Sequence, residues 1–265
     1  MLDSNLDIIW KSGYEKIMAD EDAAKWQKAW VKLASEKYRE LPAEELVKRE
    51  FIYIPNDEYV LKFFGAETLQ YKYGIYREAT CNYYQRLMFP IWGFNSYVAG
   101  LGGWANDSQW KYIYSPDTLW DKRKYFYIHP NDMKKALEDD YIIIVDGIFD
   151  SINLNRIGLH SASLMGSNFS NWHRQYLRFF KYVIVIPDND NAGVSLVNKI
   201  RKYRPDSIVL WQGEFKDIDD YIKRVGADRL IEQCSNLTRL QALKTIKLVK
   251  ETRQYESRRS KRINE

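Results

Sequence analysis

Asp188 and Asp190 stand two residues apart at the end of a short apolar run, YVIVIPDNDNAG, from Tyr182 to Gly193. A continuous apolar run of this length reads as a strand buried on both faces. In an extended chain, residues two apart point the same way. The pair would therefore present two carboxylates side by side at the carboxyl edge of a parallel sheet, where open α/β sheets receive ligands. Carboxylates that close repel, and a hard divalent cation such as Mg²⁺ relieves the repulsion. A polar turn with Asp188 or Asp190 as helix N-cap would use the same residues. Two further acid pairs decide between these readings. YIIIVDG is a buried strand ending at Asp146, with Asp150 four residues on, and FKDIDDYIK sets Asp217 and Asp219 at the entry to a helix. Caps and turns scatter acids anywhere, whereas these gather at strand ends where they can converge. An all-oxygen set without Cys or His ligands suits Mg²⁺ or Mn²⁺ rather than zinc.

The elements that must position these acids follow from the pattern around them. From Tyr141 onward, strands alternate with helices: a helix over 148–156 stopped by Gly158, a strand and Gly-Ser turn in GLHSASLMGS, and a helix over 171–180. Then come the strand at Tyr182, a helix over 193–203 with Leu196, Val197 and Ile200 on one face, and a short strand at 207–211. Such alternation argues a parallel sheet with right-handed crossovers. Before it the texture differs. Residues 1–50 read as helical, with Trp26, Trp30 and Leu33 on a packed face ringed by lysines, and Pro42 interrupting the pattern. FIYIPNDEYVLKFFG mixes a short strand, a turn and a helix. Strands over 87–92 and 97–101 are joined by a turn at 93–96, and a further strand covers 110–114. Gly100, Gly102 and Gly103 read as a bulge or tight turn, since no Walker spacing follows. Lys122, Arg123 and Lys124 are a solvated loop or a contact for triphosphate or nucleic-acid backbone. Leu240, Leu243, Ile246 and Val249 give a last apolar stripe before the basic stretch RQYESRRSKRINE.

The totals exclude several classes. The chain has 265 residues, with 45% hydrophobic and 29% charged, as in ordinary globular proteins. The net charge of +4 allows an anionic partner without demanding one. Two cysteines, Cys81 and Cys234, and three histidines are too few for a disulfide framework or a structural zinc site. No secretory or membrane-length apolar stretch is present, so a cytoplasmic, reducing location without membrane contact is expected. Twenty tyrosines and nine tryptophans serve mainly as packing, with some free to stack on bases.

The acid motifs resemble the Toprim domain shared by primases, topoisomerases and some nucleases. VDGIFD matches its first acidic motif, DNDNAG its DxD followed by AG, and KDID its closing KD-x-D; SLMGS sits where the family has a strand and small-residue turn. The preceding part separates subfamilies. YQRLMFPIWGFNSYVAGLGGW is similar to the RxMFPI…GFGGR stretch of DnaG-type primases, and WKYIYSPDTLWDKRKYF to their KYLNSPET…FxKGR element. The two sets are collinear over about residues 84–220.

The resemblance implies an α/β fold: a Toprim-like parallel sheet flanked by helices (139–228), preceded by a smaller mixed α/β basic subdomain (1–138) and followed by a helix and basic tail (229–265). It implies a DNA primase that joins ribonucleotides on a single-stranded DNA template. Asp146, Asp188 and Asp190 would hold the catalytic Mg²⁺ or Mn²⁺. Asp150, Asp217 and Asp219 would support them or bind a further metal. Arg86, Lys111 and Lys122, with Arg123 and Lys124, would contact template or incoming nucleotide. Three positions depart from the family pattern: Asp146 replaces Glu, Trp104 an Arg, and Tyr114 an Asn. The family's zinc-binding and helicase-binding domains are not in this chain, which suggests a small phage primase acting in a host bacterial cytoplasm. A separate zinc-binding protein or the replicative helicase is the expected partner. Two other functions would use the same residues: a Toprim-type nuclease, and a non-catalytic nucleic-acid-binding replication subunit with a decayed site. A topoisomerase has no room for its cleavage domain.

Overall fold

The computed structural model describes residues 5–36, 41–65, 85–105, 108–115, 120–166, 168–215 and 217–238. It contains two four-stranded sheets, one antiparallel and one parallel. The stripe at Leu240–Val249, the basic stretch after it, and Cys81 lie outside the described residues, as does Lys216 of KDID.

The N-terminal part opens with α1 (Asn5–Ala19), α2 (Glu21–Glu36) and α3 (Ala43–Lys48). There follow β1 (Ile52–Ile54), α4 (Asp57–Phe64), β2 (Arg86–Trp92), β3 (Val98–Trp104) and β4 (Tyr112–Tyr114). The strands pair in the order β1-β2-β3-β4, all antiparallel. Every residue of β2 is buried, because both faces are covered. Met88 and Trp92 face a core built with α1 and α4, while Leu87, Phe89 and Ile91 face a second core shared with the parallel sheet. Pro90 is tolerated because β1 pairs only with residues 86–88, so the strand has no partner on that side at the proline.

Two readings of this part are corrected. Trp26 and Leu33 are 56% and 59% exposed, and α2 instead buries Ala23, Gln27 and Val31. The buried amide of Gln27 pairs with the outer edge of β1: its Nε2 donates to the Tyr53 carbonyl (2.8 Å), and the Tyr53 N–H donates to its Oε1 (2.9 Å). A polar residue on the inner face satisfies an edge strand that would otherwise be orphaned. The glycines of GLGGW form no turn; they lie within β3, and of the two expected readings the bulge is found, beside Gly100, where Ile91 pairs with Gly100 but Trp92 with Val98. Aromatic rings press against the strand there. A Cβ at Gly100 would come within 2.5 Å of the Trp120 ring, and one at Gly102 within 2.2 Å of the Phe89 ring.

The second part comprises α5 (Pro130–Glu138), β5 (Tyr141–Val145), α6 (Ile148–Arg156), β6 (Ser161–Ser163), α7 (Asn171–Tyr176), β7 (Tyr182–Val185), α8 (Asn191–Arg201), β8 (Ile208–Val209) and α9 (Ile218–Val225). The expected helix over 171–180 is an α-helix only to Tyr176 and finishes as a 3₁₀ turn over Leu177–Phe179. The parallel order is β6-β5-β7-β8. Side chains alternate between two cores: Ile142 and Ile144 against α5 and α8, Ile143 and Val145 against α6 and α9. Helices therefore cover both faces, which is why these strands read as unbroken apolar runs. Phe126, Ile128 and Ala136 belong to the core of this sheet, as do Leu230 and Cys234 from the helical residues 227–238.

Candidate active site

The strand order creates a particular crevice. From β5 the chain crosses to β6 on one side, then returns past β5 to β7 on the other. The gap between the carboxyl ends of β5 and β7 is a topological switch point, where open sheets bind ligands. Asp146 directly follows β5, and Asp188 and Asp190 follow β7 across this gap.

The two strand ends touch. The Asp188 backbone N–H hydrogen-bonds to the Asp146 carboxyl. Burial, then the nearby carboxylates of Asp188 and Asp190, push the Asp146 pKa up to about 7. Its Oδ1 is buried without a hydrogen-bond partner. Two glycines make this packing possible. A Cβ on Gly193 would lie 2.0 Å from the Asp188 carbonyl oxygen, so only glycine lets the start of α8 close over the DxD turn. A Cβ on Gly147 would lie 2.1 Å from Asp150 Oδ2. The carboxylate of Asp150 thus folds back over the first turn of α6, where negative charge is favoured.

The six expected acids do not form one cluster. Among the described residues, no three His, Cys, Asp or Glu side chains are grouped so as to hold a metal ion. Asp190 caps α8 by accepting the Gly193 N–H (2.8 Å), and Asp217 caps α9 by accepting the Asp220 N–H (3.0 Å). Asp219 is buried and accepts a hydrogen bond from Asn153 of α6 (2.5 Å), tying α9 to α6. The bland capping role and the site role thus coincide at Asp190, whereas Asp217 and Asp219 secure the flanking helix. The orphaned Asp146 oxygen beside the DxD still fits a hard cation, which typically takes one or two carboxylates plus substrate phosphates and water.

The basic residues separate as well. Arg86 is only 2% exposed; its guanidinium donates to the Lys111 carbonyl (3.3 Å) and to Ser108 Oγ (2.8 Å), bracing the β3–β4 connection from inside. Lys111 itself is exposed. Lys122 Nζ donates to the Met165 carbonyl (3.2 Å) and lies 4.6 Å from the Tyr114 ring centre. It is thereby fixed beside the turn after β6, whose Gly166 N–H donates to the Asp146 carbonyl (3.3 Å). Arg123 pairs with Asp121 (2.9 Å), and Lys124 lies over the exposed ring of Trp172. Trp104 and Tyr114, the two aromatic departures, join a layer with Tyr112, Trp120 and Phe149 beneath the site. Sequence reasoning missed His173, which is buried in a capping box with Ser170 and also bonded through Nε2 to the Tyr125 carbonyl (2.9 Å). The S-x-x-H spacing ahead of a helix was the available signal.

A parallel sheet with an acid after one strand and DxD after its neighbour, flanking the switch point, defines a Toprim-like domain, and residues 143–222 match the Toprim-like family model. Over most of its length the chain has the fold of a DnaG-type primase catalytic core. It superimposes on the zinc-binding and RNA polymerase domains of the Aquifex aeolicus primase with a TM-score of 0.68, at 20% identity, covering 86% of this chain and 59% of that one. A DnaG primase catalytic domain bound to single-stranded DNA gives a TM-score of 0.65 at 21% identity, covering 85% and 78%. In sequence the chain is similar to the DNA primase of Listeria innocua, 28% identical over 158 residues, which are 56% of this chain and 25% of that protein. It is 34% identical over 116 residues to the Legionella pneumophila DNA primase, covering 42% and 20%. The chain spans about a quarter of the length of such relatives. Among the described residues no helix is long and apolar enough to cross a membrane.

Proposed function

We propose that this chain is the RNA-polymerase core of a DNA primase, joining ribonucleoside triphosphates into short primers on a single-stranded DNA template. The observation that carries this reading is the junction of Asp146 with the DxD turn at the switch point. Its support is the fold, which is that of the DnaG catalytic core, and the sequence similarity to DNA primases. Asp146, with Asp188 and Asp190 of the DxD turn, would hold Mg²⁺ or Mn²⁺, which would supply Lewis acidity toward a hydroxyl nucleophile and charge neutralisation for a triphosphate. Asp150 supports the first turn of α6, and Asp217 and Asp219 act by holding α9 in place. Lys111, Lys122, Arg123 and Lys124 would contact phosphates of template or incoming nucleotide, and Arg86 acts by shaping the β3–β4 connection. A zinc-binding protein or the replicative helicase would be its partner.

The test is primer synthesis on a random-sequence single-stranded DNA library, with labelled ribonucleotides and Mg²⁺ and Mn²⁺ in parallel. Oligoribonucleotides that disappear in Asp188→Ala are the expected result. Their absence even with cognate replication proteins present overturns the reading. A non-catalytic nucleic-acid-binding subunit is the second reading, favoured by the lack of a ready-made metal cage among the described residues. Calorimetry separates the two, since a decayed site takes up no Mg²⁺ or Mn²⁺.

A further inference from the structure

Trp172 is an unusual residue for the place it holds. It is 47% exposed, in the first turn of α7, on the loop that leaves the carboxyl end of β6. This is the same sheet edge that carries Asp146. Lys124 Nζ lies 5.6 Å from the centre of the Trp172 ring. Arg123, whose side chain is 65% exposed, neighbours it in the 3₁₀ turn Lys122–Lys124.

Three bonds fix this grouping. Ser170 Oγ donates to the Arg123 carbonyl (2.5 Å), His173 Nε2 donates to the Tyr125 carbonyl (2.9 Å), and Lys122 Nζ donates to the Met165 carbonyl (3.2 Å). The basic turn is thus held to the start of α7 at one end and to the β6 turn at the other. The β6 turn in turn donates to the Asp146 backbone. A half-exposed indole and its cations therefore sit in a set position, joined through the fold to the acidic site.

We propose that Trp172, with Lys124 and Arg123, is a stacking subsite for a nucleobase of a single strand passing the acidic site. The indole would supply the stacking face and the cations the contacts to the adjoining phosphates. Every base has a π-face, so such a subsite is tolerant of sequence, as a template-tracking surface must be. The exposed cations beside the ring favour an anionic strand over an apolar protein surface. The inference rests on the proposed primase function for its place beside the acids, but its test needs no catalysis.

Binding of fluorescent oligo-dT, oligo-U and a dT-length abasic strand would be followed by anisotropy, without metal or nucleotides and at several salt concentrations. Trp172→Ala is expected to weaken the base-bearing strands by about five- to a hundred-fold. Trp172→Phe should restore much of that, and the abasic strand should bind both proteins alike. Lys124→Ala should weaken all strands and lower the slope of log affinity on log salt by about 0.7. A loss confined to dT assigns the subsite to template, and one confined to oligo-U assigns it to primer. Unchanged dT and U binding in Trp172→Ala, with the melting curve intact, overturns the proposal and leaves the indole as a protein-docking residue. Failure of primer synthesis with these shifts present overturns the primase reading alone.

Discussion

Asp146 shows how a single carboxyl can depend on what lies opposite it. Burial and the two facing carboxylates hold its pKa near 7, well above the ordinary carboxylate range. The unfolded chain therefore releases this proton at lower pH than the folded one. The stability gained from keeping it is complete below about pH 4 and is lost as pH rises through about 7. The metal-free protein is expected to melt lower at pH 8 than at pH 5.5, with Asp146 contributing on the order of a few kcal/mol. Asp146→Asn should flatten that difference, as followed by circular dichroism across the range. Mg²⁺ should oppose the loss in the wild type, and more strongly at pH 8 than at pH 6, because binding needs the ionised form. An unaltered pH profile in Asp146→Asn would show that the carboxyl is not desolvated as the fold implies.

At the scale of elements, the site is made by how closely helices approach strand ends. Gly193 is required because α8 begins against the Asp188 carbonyl. Gly193→Ala is expected to cost about 1–3 kcal/mol through overpacking. The Mg²⁺-induced rise in melting temperature should shrink further than the stability loss alone explains, since the DxD turn must shift. A second prediction concerns α7. His173 accepts the Ser170 N–H through Nδ1 (3.1 Å) and reaches the Tyr125 carbonyl through Nε2. His173→Ala removes one member of the cap and leaves the partly buried Tyr125 carbonyl without this donor, a loss of about 1–3 kcal/mol. Hydrogen exchange should show faster opening across residues 122–126 than at β5. Equal protection at both would mean that the basic turn is held by its own packing.

Across the whole molecule, one aromatic layer joins the two sheets. Phe149, at the start of α6, meets Phe51, Trp104 and Tyr112 of the antiparallel half. Leu87, Phe89 and Ile91 share that core with Ile148 and Ile152. Phe149→Ala should destabilise by about 3–5 kcal/mol. It should also split a single urea transition into two, since the two sheets retain separate cores on their outer faces. A single transition moved to lower urea would instead show that the halves unfold as one cooperative unit.

The strand–helix alternation after Tyr141, the acids at strand ends and the glycines beside them were legible in the sequence, because period, caps and turn residues act within a few positions of one another. What escaped it depends on residues far apart in the chain. Trp26 looked like core until β1 and α4 were seen to cover a different side of α2. Arg86 looked like a template contact, and only the β3–β4 connection folding over it turned it inward. The GLGGW glycines suggested a bulge or a turn; the bulge is there beside Gly100, but the close approach of Trp120 and Phe89 to β3 could not be read locally. Similarly, six acids at one sheet edge could have formed one cage. The parallel order β6-β5-β7-β8 brought Asp146 to the DxD, and the packing of α9 on α6 drew Asp219 to Asn153. Local chemistry chose which residues could serve. Long-range packing chose which are desolvated, which face one another, and hence which carry the charge that a cation would answer.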